Sequence, residues 1–193
     1  MSTPPDEYYT AERWENWVDR LREEDLDPEE EESARFLWNL RDDAAIAVAK
    51  IVTAAAEEGE LDDETALAKL EEMRNIVFSE VRIDDEDKTM LIQSVQASLE
   101  PVLSAAEEFV ANAPADEASA AEYVDAAIDA GNGDDLDAAF AYCAQAGTRI
   151  FAGDEIDTSI VEDIEHALVL DWVNGLDSLQ SALADPEVVE EED

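Results

Sequence analysis

The chain reads as an all-α protein, an antiparallel up-and-down bundle of about seven helices, and three observations carry that reading. Apolar residues recur with a 3.6-residue period in nearly every segment. Residues that start and stop helices flank those segments, and no pair of alternating stretches joined by a tight turn signals a hairpin. The first helix is expected over 10–24, with Trp14, Trp17, Val18 and Leu21 on one stripe, behind an extended arm at 1–9 that contains Pro4 and Pro5. The second opens with Asp27 as N-cap and Pro28 at the first helical position, Glu30 completing the pattern. It carries Leu37, Ala44, Val48, Ile51 and Ala55 and stops at Gly59.

Asp62 opens a third helix with Leu67, Leu70, Met73, Arg74 and Val77 facing inward; 75–83 is rich enough in β-formers to admit a strand instead. A fourth helix starts at Asp84 and runs through Leu91, Val95, Leu99, Val102, Ala106, Phe109 and Val110, with Pro101 inside the pattern and a kink expected there. Residues 112–116 end it. Ser119 and Glu122 form an S-x-x-E start for a fifth helix bearing Tyr123, Val124 and Ile128, closed by Gly131-Asn132-Gly133. The sixth follows from Asp134 through Leu136, Phe140, Cys143, Ala144 and Ile150 to Gly153, and the seventh is expected over 157–184. Residues 10–185 therefore form one helical domain, and 186–193 an acidic tail. Short polar connections favour antiparallel neighbours, and 116–153 reads as a helical hairpin that can stand as a subdomain. Its small residues resemble one tetratricopeptide unit, but a single imperfect copy is not an array.

Charge sets the expected environment. The 193 residues hold 53 Asp and Glu against 11 Lys and Arg, a net charge of −42, yet 46% of residues are apolar, so a core can form and the acid decorates its surface. In dilute buffer such charge strains a compact state, whereas at about 1 M salt the Debye length falls to about 3 Å. The cations are mostly Arg, with only Lys50, Lys69 and Lys88, which keeps long apolar Lys stems off the surface. The composition therefore points to a halophilic protein. It disfavours nucleic acid and anionic membranes as partners, because no basic stripe exists to meet phosphates. A single Cys, no basic-then-apolar N-terminal leader, and a longest near-apolar run (44–56) broken by Lys50 favour a cytoplasmic location.

The usual signatures of chemistry are missing: no glycine-rich phosphate loop after a strand, no G-x-S-x-G, and no second Cys or His to complete a zinc site. Asp163 and His166 have helical ligand spacing, but one His cannot build a diiron centre, and a charged helix face explains the pair. Paired carboxylates such as Asp42-Asp43, Glu71-Glu72, Asp84-Asp85 and Asp134-Asp135 are too frequent to single out an acid or base. The loop 129–137 lacks the ligand order of a calcium loop. Cys143 falls on an apolar stripe and reads as a small buried hydrophobe. No catalytic, cofactor-binding or metal residue is therefore assigned.

Four residues remain as interaction candidates. Trp14 and Trp17 cannot both centre one stripe, and Trp38 follows Leu37, so these indoles either pack the bundle end or face a partner. Arg149 is the only Lys or Arg between residue 89 and the C-terminus. It either forks onto a carboxylate or onto helix C-terminal carbonyls near Gly153, or it holds an anionic ligand.

The segments YYTAERWENWVDRL, ESARFLWNLRDDAAIAVAKI, YCAQAGTRI and WVNGLDSLQSALADPEVVEEED resemble a family of uncharacterised haloarchaeal proteins, domain of unknown function 2150, over nearly the whole chain. The resemblance implies a halophilic, cytoplasmic, single-domain protein and brings no activity, cofactor or site residue. The function expected from these readings is a non-enzymatic adaptor or regulatory bundle that presents a helical surface to an unknown protein partner. The alternatives are an enzyme using carboxylates and Arg149, or an acidic decoy for basic proteins. Long apolar stripes on the second and seventh helices are compatible with a homodimer or with an elongated monomer.

Overall fold

A computed structural model describes residues 8–27, 29–57 and 59–184. Five helices start where a side-chain oxygen takes up a backbone N–H that the first turn leaves unpaired. The Thr10 hydroxyl accepts from Arg13 N (3.0 Å) ahead of α1, Ala11–Glu23. Asp62 accepts from Thr65 N (2.7 Å) ahead of α3, Asp63–Val77. Asp85 accepts from Asp87 N and Lys88 N ahead of α4, Glu86–Asn112, and Asp135 from Ala138 N ahead of α6, Leu136–Phe151. Ser119 and Glu122 close a reciprocal capping box on α5, Ala120–Asn132. The remaining helices are α2, Glu31–Ala56, and α7, Ala167–Ala184.

Two expectations change. Asp27 does not cap α2: its carboxylate accepts from Glu29 N (3.0 Å) in a tight turn, its own N–H donates to Ser33 Oγ (2.9 Å), and the helix begins at Glu31. Pro28 lies outside the described residues. The seventh helix does not begin at Asp157. A 3-10 helix, Thr158–Asp163, comes first, and Ile164 is extended before α7 starts. The Asp157 carboxylate binds Ser159 N and Oγ, and the β-branched Thr158, Ile160, Val161 and Ile164 give this stretch little helical propensity. In the described part of the arm expected at 1–9, Tyr9 is buried and Tyr8 is half-buried against the core. Residues 1–7 and 185–193, which include the expected acidic tail, lie outside the described residues. The stretch 75–83, where a strand was an alternative, is the end of α3 followed by a loop, and no strand occurs among the described residues.

Helices joined by short loops run antiparallel, as the loop lengths imply. Arg74 of α3 reaches Glu107 of α4 while Gln96 reaches back to the Val77 carbonyl, and Tyr123 of α5 stacks on Tyr142 of α6. The helices brought together from further apart share one direction. Along α4 and α7, Ser94 meets Asp171 and Ser98 meets Gly175, so both numbers rise together. Ala105 with Gly147 and Phe109 with Phe151 show the same for α4 and α6. Arg41 with Ser178 and Ala45 with Ala182 show it for α2 and α7. The segment 152–166, with its 3-10 turn, carries the chain back so that α7 can follow α6 in the same sense.

Glycines make the closest crossings. A Cβ on Gly175 would sit 1.7 Å from the Ser98 carbonyl oxygen, and one on Gly147 would sit 2.4 Å from Ala105 Cβ. Backbone therefore meets backbone where α7 crosses α4, and α6 approaches α4 almost as closely. One core runs through the molecule, from Trp14, Val18 and Leu21 of α1 through Leu40, Ile51, Leu70, Leu99 and Leu103 to Leu176 and Leu179.

Candidate functional site

Arg149 lies in the last turn of α6, facing the turn that follows it. Its Nε and Nη2 donate to Asp154 Oδ2 (3.0 Å) and Oδ1 (2.9 Å), and Nη1 donates to the Ala115 carbonyl (3.3 Å). Asp154 Oδ2 also accepts from Ala120 N (3.0 Å), which lies in the first turn of α5. The guanidinium hydrogen bond drives the Asp154 carboxyl below the usual carboxylate range, and the same bond raises Arg149. With side chains 28% and 23% exposed, the pair joins α6, the 113–119 loop and α5. The planar fork is already filled by a carboxylate, so the geometry supports the structural role considered for Arg149, and no open anion site results.

The tryptophans separate. Trp14 is fully buried in the core. Trp17 is partly buried, meets Phe36 edge to face at 5.5 Å, and donates Nε1 to Asp43 Oδ2 (2.9 Å). Asp43 is the one buried Asp or Glu among the described residues, 3% exposed, and Arg13 forks onto it through Nε (2.7 Å) and Nη2. Arg20 covers the outer faces of Trp17 and Phe36 at 4.8 and 5.2 Å, a cation over π-faces. Burial chiefly, with the Asp43 charge adding to it, pushes the nearby Tyr9 phenol up. This cluster docks α1 on α2. The sequence did carry a signal for it: Asp43 stands three residues after Leu40 and seven after Phe36, inside the apolar arc of α2.

Trp38 is different, with 56% of its surface exposed. Helical spacing places Trp38, Arg41, Ala45 and Ala49 on one side of α2. That side faces α7: Ala45 and Ala49 pack with Ala182, and Arg41 Nε donates to Ser178 Oγ (2.8 Å). Around Arg41 stand Asp42, Asp171 and Asp177, all partly buried, and Ser94 Oγ donates to Asp171 (2.6 Å). Burial raises all three carboxyls, with Arg41 acting against it, and burial lowers Arg41. One cation thus faces three carboxylates in a partly dehydrated setting. Sequence reasoning singled out Trp38 but not this group, because its members come from α2, α4 and α7 and only the parallel packing of those helices gathers them.

Two other places have bland explanations. A pocket of about 330 Å³ is lined by Arg22, Arg82, Ile83, Asp84, Asp85 and Lys88. Its cations are engaged: Arg22 binds Glu15, Asp19 and the Arg82 carbonyl, and Lys88 Nζ donates to the Arg22 carbonyl (2.9 Å). The pocket therefore clasps α1 to the start of α4. Cys143 is fully buried, and burial pushes its thiol up to about 12, so it does not supply a thiolate near neutrality. Among the described residues no three His, Cys, Asp or Glu side chains gather as metal ligands, and no helix is long and apolar enough to cross a membrane.

Fold and site together define a class: an all-helical bundle with a parallel core, a buried carboxylate that anchors its first helix, and one exposed tryptophan beside partly buried acid. The chain belongs to the family described as uncharacterized protein conserved in archaea (DUF2150), which it matches over residues 7–192. No curated protein and no solved structure matches it.

Proposed function

We propose that this protein is a non-enzymatic interaction bundle, an adaptor or regulatory subunit that works in a salt-rich cytoplasm and presents the α2–α7 side to another protein. Exposed Trp38 is the observation that supports this reading. A large indole left more than half in water, on the same helix side that α7 covers two turns further on, has surface to gain from a partner. The net charge of −42 fits a surface kept soluble in molar salt, and it favours neither nucleic acid nor membrane as the partner.

The enzyme alternative finds its best residues in Asp42, Asp171 and Asp177, whose raised carboxyls are the kind that general acids use. Arg149, its original candidate, is occupied by Asp154. An acidic decoy needs clustered acid, whereas here Asp and Glu are spread through every helix.

Capture on immobilised full-length protein from an archaeal lysate in about 2 M KCl separates these readings. A stoichiometric protein partner held by the parent, lost with Trp38→Ala and kept with Met90→Ala, supports the interaction reading. Met90 is the right comparison because it is also a large exposed hydrophobic residue but lies on α4. A small molecule recovered in place of a protein would falsify it.

A further inference from the structure

We infer that the Trp38 surface docks a basic segment of a partner protein, with an arginine or lysine side chain laid on the indole and its charge directed toward Asp42 and Asp177. This rests on the interaction reading above and adds the chemistry of the partner.

Three features of the molecule carry it. First, Trp38 offers an open ring on the α7-facing side of α2, one helical turn from Arg41 and Asp42. Second, three half-buried carboxylates, Asp42, Asp171 and Asp177, stand near one guanidinium, that of Arg41, whose Nε is held by Ser178 Oγ. Much of the dehydration that normally opposes an ion pair has therefore happened before a guest arrives. An incoming cation meets a surface whose charge is complementary to it, whereas a second copy of this chain would bring further acid. Third, the same molecule uses this contact elsewhere. On the other side of α2, Arg20 lies over Trp17 and Phe36 at 4.8 and 5.2 Å. A guanidinium on an indole within carboxylate reach acts at contact distance, so it keeps its strength where salt screens longer-range attraction.

The occupant is a protein segment and not a free ion, because an indole supplies no metal ligand and because the ring has apolar area that only an extended guest covers. Arg and Trp are also the side chains that most often anchor protein interfaces.

The test uses the full chain in 2 M KCl and a synthetic nonapeptide of alternating Arg and Ser, against the same peptide with citrulline, which keeps the shape and lacks the charge. Binding is read from tryptophan fluorescence and from peptide anisotropy. The arginine peptide should bind at least about tenfold more tightly than its citrulline counterpart. Trp38→Ala should weaken it about fivefold or more, and Asp177→Asn by a smaller factor, with circular dichroism unchanged because both side chains are partly or largely exposed. Met90→Ala should leave binding as it was. Equal binding of the two peptides, or indifference to Trp38→Ala, overturns the inference. So does spermidine displacing the peptide at equal concentration, which would assign the surface to free polyamines, and so does a dimer in sedimentation that Trp38→Ala dissolves. If the lysate partner depends on Trp38 while the arginine peptide fails to bind, the interaction reading stands and only the basic chemistry falls.

Discussion

Asp43 and Arg149 show how differently two ion pairs in one molecule behave. Asp43 is enclosed, and its two oxygens serve Arg13 and the Trp17 indole, so it joins α1 to α2 by charge-assisted bonds in a dry place. Arg13 is 46% exposed and can return to water when its partner is lost. Asp43→Ala should therefore destabilise the fold by about 2 kcal/mol, below the cost of breaking a fully buried pair. Thermal melting measures the loss, and the indole of Trp17 should report α1 loosening in the same experiment. Arg149 and Asp154 sit nearer to water, and what they contribute is direction: one fork ties three segments. Arg149→Lys keeps the charge but cannot span both carboxylate oxygens and the Ala115 carbonyl, so its melting midpoint should fall nearly as far as that of Arg149→Ala. A lysine variant that melts like the parent would show that charge alone matters there.

Helix on helix, the decisive contacts are made by the smallest residues. Gly175 lets α7 lie directly on the α4 backbone at Ser98, three residues before the buried Pro101. A methyl group there has no flexible side chain to displace, only a carbonyl, so the two helices would have to separate. Gly175→Ala should cost about 3 kcal/mol or more, at the upper end for overpacking, although alanine is the better helix former. Gly133→Ala is the control, because its nearest neighbours would stand 3.5 Å away at ordinary contact distance. Chemical denaturation of the two variants should show a large drop in midpoint for the first and a small change for the second.

For the molecule as a whole, charge and burial oppose one another. With a net charge of −42, removing salt restores self-repulsion that molar KCl screens. Under the proposed salt adaptation, helical circular dichroism should weaken between about 3 M and 0.05 M KCl, and a spectrum that does not change would end that proposal. Acid should act in two stages. Burial raises Asp42, Asp171 and Asp177 above their unfolded values, so the folded state binds more protons and gains stability as pH falls from neutrality through their raised values. Hydrogen bonds lower Asp62, Asp154, Asp157 and Glu122, and the stability they contribute above the unfolded carboxylate range is lost as pH falls through their depressed values. Melting midpoints in molar salt should therefore rise and then fall on acidification. Asp177→Asn should flatten the rise, and a monotonic fall from pH 7 would contradict the burial of these carboxyls.

Local rules were enough for the elements. Thr10, Asp62, Ser119 with Glu122, and the 3.6-residue stripes are each read within one turn or one helix, so the all-α bundle, the starts of α1, α3 and α5 and the hairpin within 116–153 were legible in the sequence, while α4 and α6 are capped by Asp85 and Asp135, one residue beyond the expected Asp84 and Asp134. The start of α2 was misread because Asp27 closes a turn on Glu29, which the same residue types also permit. What one dimension does not hold is direction between distant helices. That Trp14 is core while Trp38 stays in water is decided by packing, and that Arg41 gathers Asp171 and Asp177 follows from α2, α4, α6 and α7 lying parallel, whereas Arg149 meets Asp154 only five residues on, within the turn that ends α6. That arrangement depends on close approach at Gly175 and Gly147. A glycine's capacity to admit another backbone becomes visible only when that backbone is in place.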